Sequence, residues 1–212
     1  MKDITPTREA TREVALFPLR SPLFPDGLMA LQLFEVRYLS MIRRVMKGEL
    51  QFAIVSLLEG SEMNRPNQLE KFIQVATLVE VLQHQEPGPG LVYIRCRGGQ
   101  RVRIESSERA TAGLWMARVI DLEPDPPEPI DESDSLACSK LGALIAELQR
   151  QGVQEDQMPF LRPHRLDECG WVANRWAEIL PLPAGEKQSL LMERNPRARL
   201  DTINRWLDEL VA

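Results

Sequence analysis

The stretch over residues 14–58, VALFPLRSPLFPDGLMALQLFEVRYLSMIRRVMKGELQFAIVSLL, constrains the fold more than any other part of the chain. It reads as a strand over 14–19, a proline-punctuated turn, a short strand over 28–33, a helix starting near Glu35 and a strand over 51–58. Pro25-Asp26-Gly27 is the turn signal, with Gly27 expected to supply a positive φ. In the helix Val36, Leu39, Ile42, Val45 and Met46 recur on one side, while Arg37, Arg43, Arg44 and Lys47 lie mostly elsewhere. That spacing predicts an amphipathic helix laid against a sheet. Glu35 and Lys47 suit the two ends of its dipole, and Gly48 is a natural stop. The stretch holds no obvious nucleophile, metal cluster or phosphate loop. It describes a scaffold that presents a surface.

Strands are also expected over 72–82 and 114–122, and a hairpin over 91–105. The hairpin raises a question of register. Val92, Ile94 and Cys96 alternate with Arg95 and Arg97, and beyond two glycines Val102 and Ile104 alternate with Arg101 and Arg103. A three-residue turn at Gly98-Gly99-Gln100 pairs Arg97 with Arg101. It puts all the apolar side chains on one face and the four arginines on the other, whereas a two-residue Gly98-Gly99 turn pairs Arg97 with Gln100 and splits the arginines between faces, so the hydrophobic pattern favours the three-residue turn.

The grammar changes at EPDPPEPIDESD, residues 123–134. Proline and acid exclude a regular element, and the acidic end is suited to cap the next helix. Helices are expected over 136–151, 166–180 and 184–192. A last one opens at Asn195-Pro196, a cap followed by proline at the first helical position. Its stripe is Leu200, Ile203, Trp206, Leu207 and Leu210. The organisation expected is a flexible lead-in over 1–12, a mainly β domain over 13–123, an acidic linker over 124–134 and a helical domain over 135–212.

Charge and cysteine use narrow the function. Residues 1–126 carry sixteen basic and sixteen acidic side chains, and residues 127–212 carry ten against fifteen, so the net charge of −5 belongs to the second part. Nothing in this supports a strongly basic nucleic-acid binder. Cys96, Cys138 and Cys169 are odd in number and widely spaced, which argues against a disulfide framework and for a reducing compartment. No apolar run approaches the roughly 20 residues that span a bilayer. A cytoplasmic protein with no membrane contact is expected. His84 and His164 stand far apart, and zinc takes three or four protein ligands, so no metal and no cofactor are expected. Ser139-Lys140 are neighbours on a helix and do not share a face.

The opening stretch also resembles the start of the substrate-binding, N-terminal domain of Lon-type ATP-dependent proteases, in particular its small standalone bacterial form. Phe17-Pro18-Leu19, Leu23-Phe24-Pro25-Asp26-Gly27 and Leu33-Phe34-Glu35-Val36-Arg37-Tyr38 carry the likeness. Val75-Ala76-Thr77-Leu78 follows, with Ala76 where the family usually has glycine. Then come Gly99-Gln100-Arg101-Val102-Arg103-Ile104, Leu180-Pro181-Leu182-Pro183, Glu186-Lys187-Gln188, Leu190-Leu191 and Arg199-Leu200. The resemblance implies an α+β chain, a PUA-like β pseudo-barrel followed by a helical bundle. It also implies a non-catalytic role, because ATP hydrolysis and peptide cleavage in the full proteases belong to later domains whose motifs do not occur in these 212 residues.

The expectation is a module that recognises exposed apolar segments of unfolded or partly unfolded proteins or peptides. The groove would lie between the β and helical parts, with Phe24, Leu28, Met29 and Phe34 as contacts. The competing reading of those four is plain core packing. A second function is RNA binding through Arg95, Arg97, Arg101 and Arg103, as in PUA-like modules; its rival is a solvated sheet face. A third is an enzyme or small-ligand cleft around Glu35, Arg37 and Tyr38.

Overall fold

The computed structural model describes residues 11–60, 62, 70–110, 112–131 and 135–209. Its elements are β1 (Thr11–Leu19), β2 (Leu28–Leu33), α1 (Val36–Met46), β3 (Phe52–Glu59), β4 (Lys71–Gly88), β5 (Leu91–Arg109), β6 (Trp115–Asp121), α2 (Ser135–Arg150), α3 (Cys169–Ile179), α4 (Ala184–Met192) and α5 (Pro196–Glu209). The strands lie in the order β2-β5-β4-β3-β1-β6, and the second half of β5 pairs with β6 as well. β1 and β3 are parallel, with Phe17 opposite Ile54, and the other pairs are antiparallel. A parallel pair needs a crossover, which β2 and α1 supply.

Continuous apolar runs in β1 and β3 have a direct cause: both strands are buried on both faces. Val14, Leu16, Ala53 and Val55 join one core cluster with residues of α2, α3, α4 and α5. Ala15, Phe17, Phe52 and Ile54 join the other with Tyr38, Leu39, Met41 and Ile42 of α1. The pseudo-barrel implied by the resemblance is therefore corrected. The chain is α+β, but its strands form one curled, six-stranded mixed sheet with an edge at β2, accompanied by a helical bundle, and not a barrel.

The expected hairpin at Gly98-Gly99-Gln100 is also corrected. β5 runs unbroken from Leu91 to Arg109. The reversal comes earlier, where Gly88 faces Leu91 and Gly90 takes φ 77°. Gly98 serves close approach instead: a Cβ there would lie 2.1 Å from the Phe24 carbonyl oxygen. Near Gly99 the strand absorbs a register shift, between the pairs Thr77–Arg101 and Val79–Gly98.

In α1 the buried stripe is Tyr38, Leu39, Met41 and Ile42, while Val36 and Met46 are exposed. Arg37 turns inward. It donates to Glu35 (3.1 Å) and to the Gly113 carbonyl (3.1 Å), and its guanidinium lies 4.4 Å from the Tyr38 ring centre. α3 starts three residues later than its periodicity suggests, because Glu168 bridges to Pro129 and the Cys169 amide donates to the Glu128 carbonyl. At α5 the Asn195 carboxamide oxygen accepts from the amides of Arg197 (2.9 Å) and Ala198 (3.2 Å), as an N-cap does. The proposed acidic cap of α2 and the far end of the α5 stripe, Leu210, lie outside the described residues.

Candidate functional site

The proline-glycine turn is locked between sheet and helices. The Asp26 amide donates to the Gly98 carbonyl (2.7 Å), and the Gly98 amide donates back to the Gly27 carbonyl (2.9 Å). Thr77 Oγ1 holds the Leu23 carbonyl at 2.6 Å. The positive φ of this turn belongs to Asp26 (61°) and not to Gly27; an aspartate tolerates that region better than most residues. Gly27 is needed because Glu178 of α3 occupies the space of a side chain: a Cβ would fall 1.7 Å from its Oε1.

Glu178 is paired with Arg175 one turn earlier (3.0 Å), and Arg175 also donates to the Pro25 carbonyl (2.7 Å). Burial pushes the Glu178 carboxyl up to about 7, against the opposing pull of the Arg175 charge. Burial likewise lowers the pKa of Arg175. The pair fastens the turn to α3 from beneath.

A second fastening lies alongside. Arg101 of β5 donates to the carbonyls of Leu191 (2.8 Å) and Glu193 (2.9 Å) and pairs with Asp125 from the proline-rich connection. Arg199 of α5 reaches the same carboxylate (2.7 Å), the Asn174 side chain (2.9 Å) and the Leu190 carbonyl (3.1 Å). One acid thus joins sheet, connection and bundle through two buried arginines.

Between the fastenings lies a half-open cleft of about 510 Å³, bounded by Asp26, Arg97, Gly98, Gly99, Arg165 and Trp171. Its charges answer one another. Asp26 accepts from Arg97 and from Arg165, and Arg165 also meets Glu168 at 3.2 Å. The cleft is a polar, closed-circuit surface with a side-chain-free floor at Gly98-Gly99.

Residues 13–209 match the family described as the ATP-dependent protease La (LON) substrate-binding domain. The chain belongs to that family. It is similar to the crystal structure of a Lon N-terminal domain protein from Xanthomonas campestris, with 27% identity and a TM-score of 0.73 over 92% of this chain and 98% of that one. The N-terminal domain of Mycobacterium avium complex Lon protease shares the fold at 15% identity, with a TM-score of 0.58 over 92% and 97%. No curated protein matches.

In this Lon-type substrate-binding domain the residues singled out from sequence go to different places. Phe24 is fully buried in the core shared with the helices, where its carbonyl fills the space over Gly98. Leu28 and Met29 are half-buried on β2, and Phe34 is 54% exposed where β2 passes into α1. The four arginines do not form one open face. Arg95 donates to the carbonyls of Asp156 and Met158, Arg97 pairs with Asp26, Arg101 sits in the buried fastening and Arg103 pairs with Glu105. Glu35, Arg37 and Tyr38 do meet, as a helix-entry pair under an aromatic ring.

His84 approaches Glu86 (3.5 Å) and His164 packs near Trp171, on separate elements. Among the described residues no group of three or more His, Cys, Asp or Glu is placed to hold a metal ion, and no helix is long and apolar enough to cross a membrane. Cys96 is buried with its thiol pushed up to about 12, and Cys138 donates to the Leu166 carbonyl (3.0 Å).

The sequence pattern assigns no role to Arg175 or Glu178, and marks Arg199 only as part of the family resemblance. A signal was present: Arg199 falls four residues before Ile203, in line with the apolar stripe of α5, and Arg175 falls four after Trp171. A charge in register with a core stripe is a charge that must be paired indoors.

Proposed function

We propose that this protein binds extended segments of unfolded or partly unfolded polypeptide along β2. The observation that carries the reading is the edge position of that strand. Among the described residues Leu28–Leu33 pairs only with β5, so its other side offers a row of backbone groups to an incoming strand. Half-buried Leu28 and Met29 lie along it, and Phe34 stands exposed at its end beside Val36. Main-chain pairing tolerates many sequences, while a few apolar contacts select segments that a folded protein would hide. Membership of a family described by substrate binding agrees with this use. Phe24 takes no part, since its ring is core.

The test uses a labelled, reduced and alkylated polypeptide that cannot fold, followed by fluorescence anisotropy. Phe34→Ser is expected to weaken binding roughly tenfold, the equivalent of about 1.4 kcal/mol. Hydrogen exchange at residues 28–33 is expected to slow on binding. Unchanged exchange there, with unchanged affinity of the variant, would sink the proposal.

A further inference from the structure

The outer ridge of α1 differs from every other charged surface described above. Val36, Ser40, Arg43 and Lys47 are all exposed. At about 100° per residue they fall within roughly 60° of arc, so they form one line along the helix, with Arg44 on its flank. Val36, 81% exposed, starts the line beside Phe34. Two cations finish it and a third flanks it, and among the described residues no acidic side chain pairs with Arg43, Arg44 or Lys47. Glu35, the nearest acid at the other end, is engaged by Arg37. Glu49, just past the helix, is the one exposed acid close in sequence to the three.

From this ridge we infer the substrate class of the polypeptide site: segments in which an apolar residue is separated by three to five positions from an acidic pair. The inference rests on the polypeptide-binding reading given above and adds the charge rule to it. Spacing follows from dimensions. Along a helix rising about 1.5 Å per residue, Arg43 and Lys47 lie roughly 10–16 Å beyond Val36. An extended chain rising about 3.3 Å per residue covers that span in three to five residues. An apolar side chain seated against Phe34 and Val36 then sets the acids over the cations.

Polypeptide fits this ridge better than the two other anionic partners. A membrane surface is held by clusters of four to eight cations and by an apolar helix face, whereas the apolar face of α1 is turned into the core. Single-stranded nucleic acid asks for aromatic rings interleaved with the cations, and the ridge carries none between Val36 and Lys47.

Three labelled peptides decide the matter, identical except that the positions four and five residues from a Leu-Val-Phe anchor are both Glu, both Gln or both Lys. The Glu peptide is expected to bind about fivefold more tightly than the Gln peptide at low salt, with the gap closing at 0.5 M salt, as for solvent-exposed ion pairs. In the double variant Arg43→Glu, Lys47→Glu the order should invert in favour of the Lys peptide. Equal affinities for the Glu and Gln peptides, in a protein that binds both, would overturn the charge rule and leave polypeptide binding standing. Failure of all three peptides would overturn the binding reading itself and the charge rule with it. Binding of a single-stranded RNA, or of vesicles with 30% anionic lipid, as tight as that of the Glu peptide and competing with it, would also overturn the assignment.

Discussion

Two groups of cations in this molecule use the same chemistry to opposite ends. Arg101, Arg175 and Arg199 are almost wholly buried, and each meets an acid and at least one backbone carbonyl. Arg43 and Arg44 on α1, and Lys47 at its C-cap, lie open without an acidic partner among the described residues. Position on the helix decides between the two. A charge in line with a core stripe is desolvated and has to be matched, and once matched it fixes which surfaces meet. A charge on the outer line costs nothing to keep and stays available for a partner.

The contrast is broken most severely at Asp125. Asp125→Ala leaves Arg101 and Arg199 buried without their shared counter-charge, and is expected to cost about 3–5 kcal/mol in urea unfolding. A loss under about 1 kcal/mol would show that the fastening is ornamental. Glu178 sharpens the same point through pH. Its carboxyl holds a proton more tightly folded, with a pKa of about 7, than unfolded, near 4.5. Its contribution to stability is then complete below pH 4.5 and lost as pH rises through 7, by at most about 3 kcal/mol. The difference in stability between wild type and Glu178→Gln, followed across that window, should carry this slope. A flat difference would mean the carboxyl stays ionised beside Arg175.

Gly98→Ala tests the close approach of turn and strand. The added carbon would meet the Phe24 carbonyl, a backbone atom that cannot swing aside. A loss of about 2 kcal/mol is expected, visible as a lower urea midpoint at unchanged slope. No loss would mean that the turn docks elsewhere.

These sites also show how far residues alone carried the fold. The strand and helix order followed from periodicity, because β1, β3 and α1 each bury a continuous run or a stripe that nothing else explains. Gly98-Gly99 misled, since two adjacent glycines signal a tight turn as readily as a place where another backbone comes close. Only the tertiary neighbour, Phe24, separates the two. The glycine of the opening turn misled in a similar way: the positive φ belongs to Asp26, and Gly27 is there to make room for Glu178. Closure of the strands into a barrel came from likeness to a fold and not from any local pattern, and the edge left at β2 was invisible for that reason. In the arginine row of β5, alternation holds within Val92–Arg97 but not across the glycines: Val92, Ile94 and Cys96 enter one core cluster and Val102 the other, and the arginines' partners come from residues up to 92 positions away in sequence.

The smallest expected effect tests the open side of the comparison. Arg43→Glu with Lys47→Glu alters two exposed side chains that no described acid holds. Unfolding free energy should change by less than about 0.5 kcal/mol, the range of ordinary surface substitutions. The sign should be unfavourable, because acids at a helix C-terminus oppose its dipole. Set beside Asp125→Ala under the same urea conditions, the double variant separates charges that assemble the fold from charges that leave it untouched. A cost above 2 kcal/mol would place the ridge among the structural cations, and the division between an inward and an outward set of arginines would fail.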